Sequence, residues 1–176
     1  MAAPNQMKTV AETERLLLSH FTLEDSPFVL ELVNDPAWIQ YIGDRGVYTL
    51  AQAEIYLQNG AMASYAEHGY GLYHVQRKVD NVSLGMCGLV KRPSLPHVDI
   101  GFAFLPQFTG QGYAFEAATA VLHHARHDLN LDPIVAITAP NNNASIKLLQ
   151  KLGLRYQETI LFGDDQSKVM LFQIKS

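Results

Sequence analysis

The chain has 176 residues, of which 48% are hydrophobic and 17% charged, and its formal net charge is −4 at pH 7. These values predict one folded domain with a sizeable core, and they argue against a disordered chain or a nucleic-acid-binding protein. No apolar stretch reaches membrane-spanning length, and the N-terminus lacks the apolar core of a signal peptide. With Cys87 as its single cysteine, we expect a cytoplasmic protein without disulfides.

Local patterns predict the elements in chain order. Residues 1–12 are polar and predict a flexible N-terminal arm, and a single domain follows over residues 13–176. Thr22 is a helix N-cap candidate, and Thr49 with Gln52 forms a capping box before the next helix. Hydrophobic periodicity places the remaining elements. Strands are predicted at 15–19, 71–77, 83–90, 97–104, 133–138, 154–161 and 168–174, and helices at 23–33, 50–65, 113–129 and 142–152.

This order predicts an α+β fold, in which helices flank a mixed sheet on both sides. Between a predicted strand and a predicted helix lies the most informative stretch, Gln107-Phe-Thr-Gly-Gln-Gly-Tyr113. The first turn of a helix has free N–H groups that bind anions, and Gly110 and Gly112 leave the backbone open to a phosphate. The dinucleotide fingerprint fails at Phe115, and the Gly-Lys-Ser/Thr end of a P-loop is missing after Gly112.

What remains, Gln107-x-x-Gly110-x-Gly112, resembles the Arg/Gln-x-x-Gly-x-Gly/Ala signature of the GNAT superfamily of N-acetyltransferases. The stretch from Asn142-Asn-Ala-Ser145 to Gly153-Leu154 resembles the Asn-x-x-Ser…Lys-x-Gly-Phe signature of its ribosomal-protein acetyltransferase (RimJ/RimL-like) branch. Val98-Asp-Ile-Gly-Phe102 is similar to the Glu-Ile-Gly-Tyr strand of that branch, with Asp99 where Glu is usual. The resemblance extends from about Thr13 to the end of the chain.

The resemblance implies the GNAT fold, a central mostly antiparallel mixed sheet of about seven strands flanked by about four helices. It implies direct transfer of an acetyl group from acetyl-coenzyme A (acetyl-CoA) to a primary amine, either a protein N-terminus or a small molecule. Exposed strand edges are compatible with a homodimer. The alternatives are a non-catalytic coenzyme A-binding sensor domain and a different nucleotide-binding protein. The implied coenzyme contacts are Phe102, Ala103, Phe104, Gln107, Phe108, Thr109, Gly110, Gln111, Gly112, Tyr113, Asn142 and Ser145.

Two side chains are candidate catalytic residues. Asp99 lies on one strand face with Gly101 and Ala103, whose small size leaves room for the pantetheine arm or for a large neighbouring side chain. Asp99 is therefore a candidate general base or, alternatively, a solvated strand carboxylate or the partner of a nearby Arg or Lys. Ser145 lies on the inward face of its helix, where its hydroxyl either bonds a backbone carbonyl or, as the resemblance implies, assists the departing thiolate.

Other residues have simpler interpretations. Cys87 is expected to be a buried structural thiol. His123 and His127 have metal-binding spacing, but without a third ligand we expect no metal. In this family, the connection between the first two helices closes over the acceptor. The candidate substrate contacts in that connection are Trp38, Tyr41 and Ile42, which could alternatively be core residues.

Overall fold

One mixed sheet runs through the structure, a computed structural model that describes residues 8–176. Its eight strands lie in the order β1-β2-β3-β4-β5-β6-β8-β7. Neighbouring strands are antiparallel except β5 and β6, which are parallel. The strands are β1 (Thr9–Glu12), β2 (Leu16–His20), β3 (Leu72–Arg77), β4 (Ser83–Val90), β5 (Asp99–Phe104), β6 (Ile134–Thr138), β7 (Arg155–Phe162) and β8 (Ser167–Ile174).

The helices begin and end largely where local signals predict. Thr49 Oγ1 accepts from Gln52 N at 3.1 Å, while Gln52 Oε1 accepts from Thr49 N at 3.2 Å, as a capping box requires. Gly153 ends the last helix with a left-handed φ of +96°. The helices are α1 (Ser26–Val33), α2 (Pro36–Tyr41), α3 (Leu50–Leu57), α4 (Ala63–His68), α5 (Tyr113–His127) and α6 (Asn143–Lys151), and a π turn (Gln58–Met62) joins α3 to α4.

Each face of the sheet is covered by its own helices. Helix α5 has small residues on its buried side, which lets it lie close to the sheet and pack with buried strand residues such as Tyr73 and Phe172. On the other face, α1 and α3 pack with Met86 of β4. The predicted GNAT architecture is therefore confirmed, with eight strands in place of about seven.

The prediction of a loose arm over residues 1–12 is wrong where it can be compared with the structure. Thr9–Glu12 forms β1 and pairs with β2. Four residues are too few for a clear period, and this strand exists because β2 offers a free edge for hydrogen bonding. Residues 1–7 lie outside the described residues.

Two facing glycines offer a test of sheet packing. Gly88 of β4 pairs with Gly101 of β5. A Cβ at Gly88 would come within 2.2 Å of Gly71 O, whereas one at Gly101 would meet only Leu72 Cδ2 at 3.6 Å. We expect Gly88→Ala to lower the free energy of unfolding by about 1–3 kcal/mol, and Gly101→Ala to change it by less than about 0.5 kcal/mol. Urea denaturation measures both, and equal losses in the two variants would contradict this packing.

Candidate active site

Strands β5 and β6 pair at one end and then separate. Their parallel register consists of the pair Asp99 and Val135, beside which Val135 N donates to Val98 O at 3.0 Å. On its other edge, β5 is paired with β4 along its whole length. Because successive residues of a strand point their backbone groups to alternate edges, the N–H and C=O groups of Phe102 and Phe104 face the gap beside β6. A ligand can therefore add to this edge of β5.

The loop after β5 has free backbone donors, as an anion site requires. Gly110 and Gly112 have left-handed φ angles of +74° and +82°, and a Cβ at Gly110 would meet nothing within 4 Å. The N–H groups of Phe108 and Thr109 are occupied, because they bond Leu105 O and Pro106 O at 3.0 and 3.2 Å. The N–H groups from Gly110 to Ala114 have no acceptor within residues 8–176. The free donors therefore begin at Gly110, two residues later than the sequence suggested.

Arg15, in the turn just before β2, holds this loop. Arg15 Nε donates to Glu116 Oε1 at 2.8 Å and Arg15 Nη1 donates to Gln111 O at 3.0 Å. The guanidinium also lies 4.3 Å from the centre of the Tyr113 ring. Burial opposes ionisation of Glu116, but hydrogen bonds from Thr13 and Arg15 outweigh burial and lower its pKa. The first turn of α5 and its loop are thus fastened to the turn between β1 and β2, a connection that no local sequence pattern indicates.

The start of α6 lies at the C-terminal side of β6. Asn142 caps the helix, since its Oδ1 accepts from Ser145 N at 3.2 Å. The amide NH₂ of Asn142 has no partner within the described residues. Ser145 is half-buried, and its hydroxyl makes no hydrogen bond within residues 8–176, so the alternative bond to a backbone carbonyl is not observed. Both polar groups remain available to a ligand.

Asp99 forms the ion pair that the sequence left open as an alternative. Its side chain is 2% exposed, and Arg92 Nε donates to Asp99 Oδ1 at 3.1 Å. Burial raises the pKa of Asp99 to about 6, although Arg92 acts in the opposite direction. Gly101 and Ala103 share this face. The backbone of Ala103 pairs with Met86 on β4, so Ala103 does not present its peptide groups to the gap as Phe102 and Phe104 do.

The structure separates the remaining candidates. Trp38 is 6% exposed and packs in the core beneath α1 and α3, which favours the core alternative over a substrate contact. Tyr41 is half-buried and Ile42 is exposed.

Cys87 is buried, and burial raises the pKa of its thiol. The rings of His123 and His127 lie 4.2 Å apart on an exposed face of α5, and residues 8–176 contain no group of three potential metal ligands. Gln107 is exposed, and its carbonyl accepts from Gln111 Nε2 at 3.0 Å.

Comparison with known proteins decides the family. A model described as the acetyltransferase (GNAT) domain matches residues 15–155. The chain belongs to the GNAT acetyltransferase family. This GNAT domain is 30% identical over 143 residues to the uncharacterized N-acetyltransferase YnaD of Bacillus subtilis (strain 168), with 81% of each chain covered. No helix within residues 8–176 is long and apolar enough to cross a membrane.

Solved GNAT structures share the fold. An acetyltransferase from Agrobacterium tumefaciens str. C58 has a TM-score of 0.80 at 22% identity, over 100% of this chain and 99% of that one. RimL, a ribosomal L7/L12 alpha-N-protein acetyltransferase in complex with coenzyme A, has a TM-score of 0.82 at 17% identity, over 96% and 98%. GNAT enzymes use acetyl-CoA, and the open edge of β5 and the free N–H groups after it fit such a ligand.

The Arg15 contacts predict a role for Arg15 in coenzyme affinity. Arg15→Met removes the bonds to Gln111 and Glu116, so the loop loses its fixed shape. We expect acetyl-CoA to bind about tenfold more weakly, which corresponds to about 1.4 kcal/mol. Isothermal titration calorimetry measures this change. Arg155→Met, at an exposed arginine of β7, is the matched control and should bind as wild type does. Unchanged affinity in a folded Arg15→Met protein would contradict the prediction.

Proposed function

We propose that this GNAT protein transfers an acetyl group from acetyl-CoA directly to a primary amine, of a protein N-terminus or a small molecule, in a ternary complex. The observation that carries the proposal is the gap between β5 and β6, which leads to a loop whose N–H groups are free from Gly110 onward. Phosphates suit such donors at the start of α5, and an extended amide-containing arm suits an open strand edge. The resemblance of residues 142–154 to the RimJ/RimL-like branch is part of this proposal.

The residues of the chain take separate roles in this proposal. The N–H groups from Gly110 to Ala114 hold the phosphates, and the backbone of Phe102 and Phe104 with the amide of Asn142 holds the pantetheine arm. The Ser145 hydroxyl is unpaired and donates to the sulfur as the thiolate leaves. Asp99 accepts the proton of the attacking amine through water, because Arg92 already occupies one carboxylate oxygen.

Coenzyme binding is the first experiment. Acetyl-CoA, coenzyme A, ATP and NAD are compared by calorimetry on wild type and on Gly110→Trp. We expect wild type to bind acetyl-CoA and coenzyme A with micromolar affinity and to bind neither ATP nor NAD. Gly110→Trp should lose coenzyme binding, because the indole would lie over the free N–H groups. Circular dichroism checks that the variant is folded. A folded wild type that binds no coenzyme A would refute the function. Tight binding without turnover on a broad amine panel would favour the sensor domain.

The two catalytic candidates predict different kinetic changes. A base must be ionised, and the pKa of Asp99 is about 6. Activity should therefore rise with pH with a midpoint near pH 6, and this midpoint should disappear in Asp99→Asn with a loss of kcat of about 100-fold. Ser145→Ala should lower kcat about tenfold while the pH midpoint and the affinity for acetyl-CoA stay unchanged. An unchanged pH profile in Asp99→Asn would exclude Asp99, and an unchanged kcat in Ser145→Ala would exclude Ser145.

A further inference from the structure

A groove lies along the π turn Gln58–Met62, where the helix α3–α4 crosses the sheet. Two cavities of about 290 and 420 Å³ both border Tyr56, Asn59 and Gly60, so they are neighbours, and together they are called the groove. The inner, 290 Å³ cavity has mostly apolar walls, and π turns inside helices are frequent at functional sites. Among its apolar wall residues are Phe21, Leu57, Leu72, Met86 and Val90.

The inner end of the groove borders β4, the strand that pairs with β5. Val90 of β4 lies directly opposite Asp99 of β5, and paired residues of antiparallel strands share a face of the sheet. The next pair on that face is Gly88 with Gly101, and a Cβ at Gly101 would meet only Leu72 Cδ2 at 3.6 Å, so there is space above β5 at this position. An amine in the groove and an acetyl group in the gap between β5 and β6 would therefore approach β5 from different sides.

The groove is basic although the chain is acidic. Its lining includes Arg45 and Lys91, neither of which has a partner within the described residues, against one carboxylate, that of Glu67. The Glu67 side chain is 75% exposed and lies 3.7 Å from His68 Nε2, and Arg45 and Lys91 are exposed as well, so the lining carries one more positive than negative charge. The whole chain carries a formal charge of −4. The positive charge in the groove is thus a local arrangement that points to an anionic ligand.

Two side chains in the groove, Tyr56 and Asn59, have hydrogen-bond donors without a partner within residues 8–176. Tyr56 is largely buried, and its hydroxyl makes no hydrogen bond within residues 8–176. Burial raises the pKa of Tyr56, and the positive charges of Arg45 and Arg92 act in the opposite direction. Asn59 adds an exposed amide at the junction of the two cavities. Both groups are accessible from the groove, and each can donate to an anionic oxygen.

We propose that the acceptor is a small amine with an apolar body and a carboxylate, and that Arg45 in the outer cavity binds the carboxylate. The planar guanidinium matches a carboxylate with two parallel hydrogen bonds, and Tyr56 and Asn59 supply further donors. The amine lies at the inner end, where the positive charge of Lys91 favours the neutral amine that attacks the acetyl group. This inference rests on the proposed function and gives it a substrate class.

The test uses acceptors that differ in one group. Acetylation of 6-aminohexanoate, its amide, hexylamine and an aminoalkyl phosphate is followed by release of free thiol. In wild type we expect kcat/KM for the carboxylate to exceed that for the amide at least tenfold. Arg45→Gln should reduce this ratio to about two, through a higher KM for the carboxylate. Lys168→Gln, at an exposed lysine of β8, is the control and should keep the wild-type ratio.

The outcomes separate the inference from the function. Equal acetylation of the carboxylate and the amide by wild type would overturn the inference and leave the acetyltransferase function intact. A preference for the phosphate over the carboxylate would overturn the carboxylate assignment. If acetyl-CoA binds but no amine is acetylated, the proposed function fails. Calorimetric binding of 6-aminohexanoate and of its amide to the coenzyme A complex then still decides what the groove recognises.

Discussion

Inside a sheet, the backbone N–H and C=O groups of each strand normally form hydrogen bonds with both neighbouring strands, because an unpaired group away from water is costly. The parallel strands β5 and β6 share one paired residue on each strand and then diverge, so the facing edges beyond Asp99 and Val135 are left open. The two faces of the sheet are nevertheless well packed, with α5 and α6 on one side and α1 and α3 on the other. The opening is therefore a defined gap in an otherwise rigid layer, and the loop, Asn142 and Ser145 are all placed relative to it.

Electrostatics in this molecule is decided locally. The formal charge of −4 describes the protein as a whole, and from the sequence it would disfavour an anionic acceptor. The groove contradicts that global view, since Arg45 and Lys91 line it and most acidic side chains lie elsewhere. Asp99 shows the same principle, because burial rather than net charge raises its pKa to about 6. The net charge of a sequence does not show where its charged side chains cluster in the structure.

The features that the sequence predicted well are those that short segments determine. The capping box at Thr49 and the helix end at Gly153 depend on neighbouring residues, and both are seen. The features that were missed need distant partners. Glu116 is separated from Arg15 by 101 residues, and the Trp38 ring is buried by residues of other elements. The π turn carries no signal of its own in the sequence. Periodicity therefore gave the elements, whereas the groove and the fastening of the loop required the three-dimensional structure.

The bonds between Arg15 and α5 also bear on how the protein folds. Contacts between residues far apart in the sequence carry a large loop-closure entropy and form late on average. The loop from Gln107 to Gly112 owes its shape to a residue that leaves the ribosome about 95 residues earlier. The chain can thus complete its local helices and the β3–β4 hairpin while the coenzyme loop is still unformed. Full affinity for the coenzyme would then arise at the end of folding, and a cut between Arg15 and Leu16 would weaken binding at a distance.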